Sequence, residues 1–289
     1  MKRVGIICNV DKPDAPEILA RLTAKAAACD LSLVVCDDMA MLLPDAERVA
    51  PEAFGAAVDV LLALGGDGTL LRGVRLLGGA DIPVLGVNLG SLGFMTSVTE
   101  EALEHALDVL VNRTYVISRR SLLACRLQRS GEADVSYTAL NDVVVGWGGS
   151  SRAMVLGLAI DGEEVAQYLC DGLIVSTPTG STGHSLSAGG PIVHPSAPVL
   201  TVNVICPHTL GARPLVLADS SDITVYVLDM PETKQPLLSI DGQGEHVLRR
   251  GDALHITRSP HTVPFMHLPE YSYFGVLRQK LHWRGSARG

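Results

Sequence analysis

The chain has 289 residues, 47% of them hydrophobic and 19% charged, with a formal net charge of −8. Roughly 100–200 residues per domain makes this a two-domain length, and the composition suits ordinary globular cores. An acidic balance without a basic run sets nucleic acid and anionic membranes aside as main partners, so an anionic ligand has to be met by local arginines and backbone N–H groups. No apolar stretch reaches the ~18 residues of a spanning helix. Met1-Lys2-Arg3 leads straight into a strand-like segment, so no secretory leader is expected. Cys8, Cys29, Cys36, Cys125, Cys170 and Cys206 form no C-x-x-C pair. They read as buried, reduced thiols of a cytoplasmic protein, neither a disulfide frame nor a zinc site.

The first third alternates strand and helix. Expected strands are Arg3 to Cys8, Leu31 to Cys36, Val58 to Leu64 and Pro83 to Val87. Expected helices are Ala15 to Cys29 and about Thr69 to Leu77. Continuous apolar strands between helices imply a parallel sheet covered on both faces, with ligands at the carboxyl ends of the strands. At one such end stands Gly65-Gly66-Asp67-Gly68-Thr69. Glycine lets a backbone approach a ligand closely, and the first N–H groups of the next helix suit phosphate. An Asp there repels phosphate unless a metal or a reacting hydroxyl lies between them, which points to phosphoryl transfer. Arg72 follows one turn later and can neutralise a transferred phosphate. The plain structural alternative is a tight turn capped by Asp67. A second glycine-rich strand end runs from Gly86 through Asn88 and Gly90 to Phe94 and reads equally as ligand loop or plain loop. Leu103, Ala106, Leu107, Leu110 and Val111 recur at helical spacing, with Ser97 and Glu100 as a capping box.

Near Tyr115 the pattern changes to short strands with glycine punctuation, continuing to about His267. That predicts a β-rich second domain. Asn141-Asp142 stands at a strand start, where an amide and a carboxylate can bind a purine edge and ribose hydroxyls; by itself it also reads as an Asx-turn. Ser176 to Gly190 is dense in hydroxyls and glycines, which suits a polar cleft floor for sugar and phosphate. Glu270 to Trp283 looks helical and aromatic. His208 and Arg213 read as structural, His105 and His255 as solvated or packed, and Trp147 and Trp283 as packing or interface residues.

In this order the segments closely resemble the NAD kinase family, the ATP-NAD 2′-phosphotransferases, of bacterial type. The resemblance extends to Pro207 to Leu215, to Ser239-Ile240-Asp241-Gly242-Gln243 and to Tyr271-Ser272-Tyr273-Phe274. It implies an α/β, Rossmann-like domain over 1–115 with a mostly parallel sheet. A β-rich NAD-binding domain over 116–268 follows, then a segment over 269–289 that packs back on the first domain. The active site is expected between the domains. The implied reaction passes a phosphoryl group from ATP, or polyphosphate in some members, to the adenosine-ribose 2′-hydroxyl of NAD, giving NADP. Mg²⁺ is expected through the donor phosphates. By resemblance Asp67 is the general base, and Gly65, Gly66, Gly68, Thr69 and Arg72 hold the donor phosphates. Asn88, Phe94, Asn141, Asp142, Leu169, Asp171, Thr179, Thr182, Gly183, His184, Ser187 and Gln243 bind the dinucleotide. Two positions depart from the family pattern. His184 replaces the usual Tyr, and Leu169 stands where a polar residue is common, at a place associated with the choice between NAD and NADH. The resemblance also implies a homodimer or homotetramer. A nucleotide sensor without turnover and a lipid or small-molecule kinase sharing the glycine loop are the alternatives.

Overall fold

The computed structural model describes residues 2–36, 39, 41–90, 93–147, 153–231 and 235–283. Contacts divide the chain into two units, Met1–Arg119 with Val263–Gly289, and Arg120–Thr262. In the first, β1 (Arg3–Cys8), α1 (Ala15–Ala28), β2 (Ser32–Val35), β3 (Glu47–Arg48), α2 (Pro51–Ala57), β4 (Val60–Leu64), α3 (Asp67–Leu76), β5 (Val84–Asn88), β6 (Val98–Thr99) and α4 (Leu103–Asn112) follow one another. The strand order is β3-β2-β1-β4-β5 with β6 beside β5, and every pairing is parallel. Strands β4 and β5 are buried at every position. Only a sheet covered on both faces accepts such unalternating apolar runs. Ile18, Leu19 and Leu22 of α1 and Leu103, Ala106 and Leu107 of α4 share one core with Val4, Ile6, Leu62 and Leu64. Helix α3 packs on β1, β4 and β5, and α2 on β1 and α3.

Two local expectations are corrected, and one helix joins the expected set. Helix α3 begins at Asp67, not Thr69, because extended Gly66 serves as its cap, and this places Asp67 in the first turn. Helix α2 had no periodic signal: it is one short helix with a single buried residue, Phe54. The Ser97–Glu100 capping box does not form; a 3₁₀ turn over Glu100–Ala102 precedes α4, and Ser97 Oγ is buried without a hydrogen bond.

The second unit is antiparallel. Its strands are β7 (Val116–Gln128), β8 (Val135–Ala139), β9 (Asp142–Gly146), β10 (Met154–Ile160), β11 (Glu163–Cys170), β12 (Gly172–Ser176), β13 (Val199–Ile205), β14 (Leu215–Ala218), β15 (Ile223–Asp229), β16 (Leu237–Ile240), β17 (Glu245–Val247) and β18 (Ala253–His267), with a short helix α5 (His184–Ser187) after β12. One sheet runs β14-β13-β12-β9-β16-β17; the other joins β11, β10, β15 and β18 with β7 and β8. Alternate residues such as Leu123 and Cys125, Val143 and Val145, Leu156 and Leu158, and Val225 and Val227 meet in a single core. This period of two is what a sandwich of two sheets requires. Strand β18 starts in the second unit and ends in the first, where Phe265 pairs parallel with Val84. A final helix, α6 (Tyr273–Lys280), is capped by Ser272 Oγ, which accepts from Gly275 N; it is shorter at both ends than the expected Glu270 to Trp283.

All six cysteines are free, but Cys206 is exposed and Cys29 only partly covered, so burial holds for Cys8, Cys36, Cys125 and Cys170. Burial pushes the Cys8 and Cys170 thiols up to about 11 and Cys125 to about 12, which leaves them unreactive. No described helix is long and apolar enough to cross a membrane.

Candidate active site

In the first unit, two glycine-rich strand ends meet at Asp67. Strand β4 delivers the loop to the sheet edge, where Gly65 N donates to Val87 O at 2.8 Å and Asn9 N donates to Leu64 O at 2.8 Å. Phe94 N donates to Asp67 Oδ2 at 2.9 Å, and Met95 N donates to Asp67 Oδ1 at 3.0 Å. A Cβ at Gly93 would lie 2.1 Å from Asp67 Oδ1, so only glycine lets the second loop close on the carboxylate. Asp67 is therefore no cap of its own helix; it is a half-buried acceptor clamped by a loop 27 residues away. Each oxygen uses one lone pair on these amides and keeps another.

The loop's glycines divide into two kinds. Gly65 has φ +154° and no room beside Thr69, so the fold demands it. At Gly66 and Gly68 a Cβ would meet nothing within 4 Å, and neither backbone is left-handed. Gly66 also suits its place as the cap of α3; Gly68 lies inside the helix, where glycine costs helix propensity, and close approach of a ligand accounts for it. These two residues, Thr69 and Arg72 line a cavity of about 500 Å³ with Cys8, Asn9, Val10 and Asp11. Arg72 Nη2 donates to Cys8 O at 3.0 Å, which anchors the guanidinium at that wall. Asn88 is buried and donates Nδ2 to Gly90 O at 3.3 Å, shaping its own loop. Ser91 and Leu92 lie outside the described residues. Phe94 is half-buried, with Lys280 Nζ of α6 5.4 Å from its ring centre.

In the second unit, Asn141, Asp142, Asp171 and His184 line one cavity of about 740 Å³. The turn that carries the first two is built from far away. Asp241 Oδ1 accepts from Asn141 N at 2.7 Å and Asp142 N at 3.0 Å, and Oδ2 accepts from Leu140 N at 2.8 Å. On the other side Thr177 N donates to Asn141 O at 2.9 Å, and Thr177 Oγ1 donates to Leu140 O at 2.6 Å. With its backbone so held, Asn141 leaves its side-chain Oδ1 buried and without a hydrogen bond. The local sequence reading of Asn141-Asp142 as a self-contained Asx-turn is replaced by this long-range clamp.

The hydroxyl-rich stretch is also put to a different use from the expected cleft floor. Ser176, Thr177, Ser181 and Thr182 are buried and donate to backbone carbonyls of Asn141, Leu140, Pro178 and Thr179. These hydroxyls satisfy the folded-back segment itself. Thr179 Oγ1 remains buried without a partner. Gly183, His184 and Ser187 are exposed at α5. Leu169 is 46% exposed on β11, and neither it nor Gln243 lines the cavity. Trp147, expected to be packing, lines the cavity wall. His208 N donates to Leu169 O at 2.8 Å, and Arg213 Nη1 donates to Leu210 and Ala212 carbonyls at 2.8 and 2.7 Å. Among the described residues no group of three or more His, Cys, Asp or Glu side chains could hold a metal ion.

Asp142 is 4% exposed, and its carboxyl is pushed up to about 7 by burial first and the Asp241 carboxylate second. The unfolded chain releases this proton near pH 4. Between about pH 4 and 7 the folded state therefore holds more proton, and this site loses stability as pH rises. Asp142→Asn removes that slope: its Tm relative to wild type should rise between about pH 5 and pH 8. An equal Tm difference at both pH values would mean that Asp142 titrates normally.

Family models describe the same division. The ATP-NAD kinase N-terminal domain matches residues 4–115, and the ATP-NAD kinase C-terminal domain matches residues 140–268. The chain belongs to the ATP-NAD kinase family. An NAD kinase of Geobacter sulfurreducens is 40% identical over 283 residues, covering 98% of this chain and 99% of the relative. One from Geobacter metallireducens is 43% identical over the same shares. Yeast NADH kinase complexed with NADH superposes with a TM-score of 0.91 at 26% identity, over 100% of this chain and 89% of that one. An NAD kinase from Archaeoglobus fulgidus in complex with ATP gives 0.71 at 26% identity, over 96% and 99%. For this family member, sequence reasoning missed Asn9 and Asp11 at the first cavity and gave Asp241 no role. The signal for Asn9 was its place right after β1, at a strand carboxyl end. Asp241 carried only its place in a matched motif.

Proposed function

We propose that this chain transfers the terminal phosphoryl group of ATP to the adenosine-ribose 2′-hydroxyl of NAD, producing NADP and ADP. Asp67 accepts the hydroxyl proton while the oxygen attacks the terminal phosphorus, and the bond to the ADP oxygen breaks. A base in this role must lie at hydrogen-bond distance from that hydroxyl. The two amides of Phe94 and Met95 fix the carboxylate's direction and leave lone pairs for the proton. Phosphoryl transfer is mainly positioning and charge neutralisation. The N–H groups at the start of α3 and the Arg72 guanidinium supply both on the protein side. Mg²⁺ would be carried by the donor phosphates and would neutralise their charge; Asn9, Asp11 and Thr69 line the same cavity and would face its water shell. Asn141 and Asp142 hold the adenosine half of NAD, Asp171 the nicotinamide-ribose end, and His184 borders the adenosine. Phe94, Thr179, Thr182, Gly183, Ser187 and Gln243 complete the dinucleotide contacts, and Leu169 bears on the choice between NAD and NADH. A cytoplasmic homodimer or homotetramer is part of the same proposal.

The observation that carries this reading is the open glycine Gly68, inside the first turn of α3, beside a clamped Asp67. Its test is NADP formation by the purified chain with ATP, Mg²⁺ and NAD, with NADH in parallel. Turnover of both acceptors makes Leu169 the next residue to change; no product from either sinks the kinase reading. Gly68→Ala sharpens it. Alanine fits the helix and stabilises it by up to ~1 kcal/mol. The added methyl should nonetheless raise the KM for ATP at least about 10-fold, because donor phosphates need that space. Unchanged ATP kinetics would remove the close-approach argument.

A further inference from the structure

We infer that Asp241 is the positioning residue that presents Asn141 and Asp142 to the dinucleotide. The inference rests on the reading that those two residues bind NAD. Three consecutive backbone N–H groups, those of Leu140, Asn141 and Asp142, converge on one point. Such a concavity is an anion site. Here a carboxylate of the same chain fills it, at 2.7–3.0 Å from all three donors and about a hundred residues away in sequence. The clamp is reciprocal: Asp241 N donates to Asp142 O at 3.0 Å. Asp241 sits just after β16 with φ +53°, a left-handed conformation that Asp tolerates better than most residues. That conformation aims its side chain and its N–H at the same turn. Behind the turn, Thr177 takes the Leu140 and Asn141 carbonyls. The backbone is held from both sides, and Asn141 Oδ1 is left over, buried and unbonded. An unsatisfied buried acceptor is costly in the free protein and is relieved by a ligand donor. Asp241 thus spends its own charge on fixing the direction of its neighbours' side chains.

Asp241→Asn tests this. The amide keeps one accepting oxygen and turns an NH₂ group toward donors. The KM and Kd for NAD should rise at least about 10-fold, with kcat within about threefold and the KM for ATP within about twofold. Wild-type values, or a fall in kcat at unchanged KM for NAD, overturn the inference. Because the variant can fail to fold, amide hydrogen exchange is measured on the wild-type protein without ligand. The Leu140, Asn141 and Asp142 amides should exchange at least about 100-fold slower than in a free peptide; free-peptide rates at all three overturn the clamp. Asn141→Ala runs alongside. If it binds NAD like wild type, the underlying reading fails and this inference with it. If it weakens NAD binding and Asp241→Asn does not, the inference alone fails.

Discussion

Asp67→Asn should lower kcat for NADP formation by about 10²- to 10⁴-fold, the usual worth of a positioned general base. Binding of NAD should fall far less than kcat: Asn141, Asp142 and Asp171 belong to a different structural unit from Asp67, and of the contacts proposed above only Phe94 is tied to it. The variant also carries a structural cost that can be read separately. Asp67 accepts one amide on each oxygen. Asn offers one oxygen and one NH₂, so either Phe94 N or Met95 N faces a donor. Leaving one such amide unsatisfied costs about 1–3 kcal/mol, seen as a lower Tm. Rate and stability together discriminate between readings. A nucleotide sensor without turnover would show the Tm loss and no activity to lose. A purely structural Asp67 would lose Tm in proportion to rate. Near-wild-type kcat in Asp67→Asn would end the general-base assignment.

Gly180→Ala should be nearly as damaging, by a different route. A Cβ at Gly180 would lie 2.2 Å from Asn141 O, 2.5 Å from its carbonyl carbon and 2.7 Å from its Cα. All three are backbone atoms, which cannot swing aside as a flexible side chain can. Either the hydroxyl-rich segment or the Asn141 turn must move, and the segment is tied down by Thr177 and Ser181. Overpacking of this kind costs about 1–3 kcal/mol. Displacing a substrate-holding turn by ~1 Å can cost 10²-fold in rate. The expected result is a lower Tm together with a Kd for NAD raised at least about 10-fold. Wild-type NAD affinity in Gly180→Ala, measured by calorimetry, would show that Asn141 is not where the dinucleotide binds.

The fold class was legible because it is written in local periodicity. Runs such as Val60–Leu64, buried at every position, announced a sheet covered on both faces. Short strands with glycine punctuation after Tyr115 announced a β-rich domain; that it is a sandwich, with Leu123, Cys125 and Leu127 on its inner face, came from the structure. Glycines and an acid at the carboxyl end of β4 marked the chemistry in the sequence itself. The hydroxyls of Ser176, Thr177 and Ser181, which suited a cleft floor, donate to backbone carbonyls instead. A hydroxyl that donates to a backbone carbonyl inside its own fold has the same sequence signature as one that waits for a sugar. Tertiary structure alone decided which glycines the backbone needs and which it merely permits: Gly65, Gly93 and Gly180 against Gly66 and Gly68. It also decided what holds each acid and turn: the Phe94 and Met95 amides for Asp67, and Asp241 for the turn at Asn141. Period and composition act over a few neighbouring residues, through side-chain burial. These contacts join segments about a hundred residues apart or less through a few hydrogen bonds each, and their geometry exists only once both sheets have settled their registers.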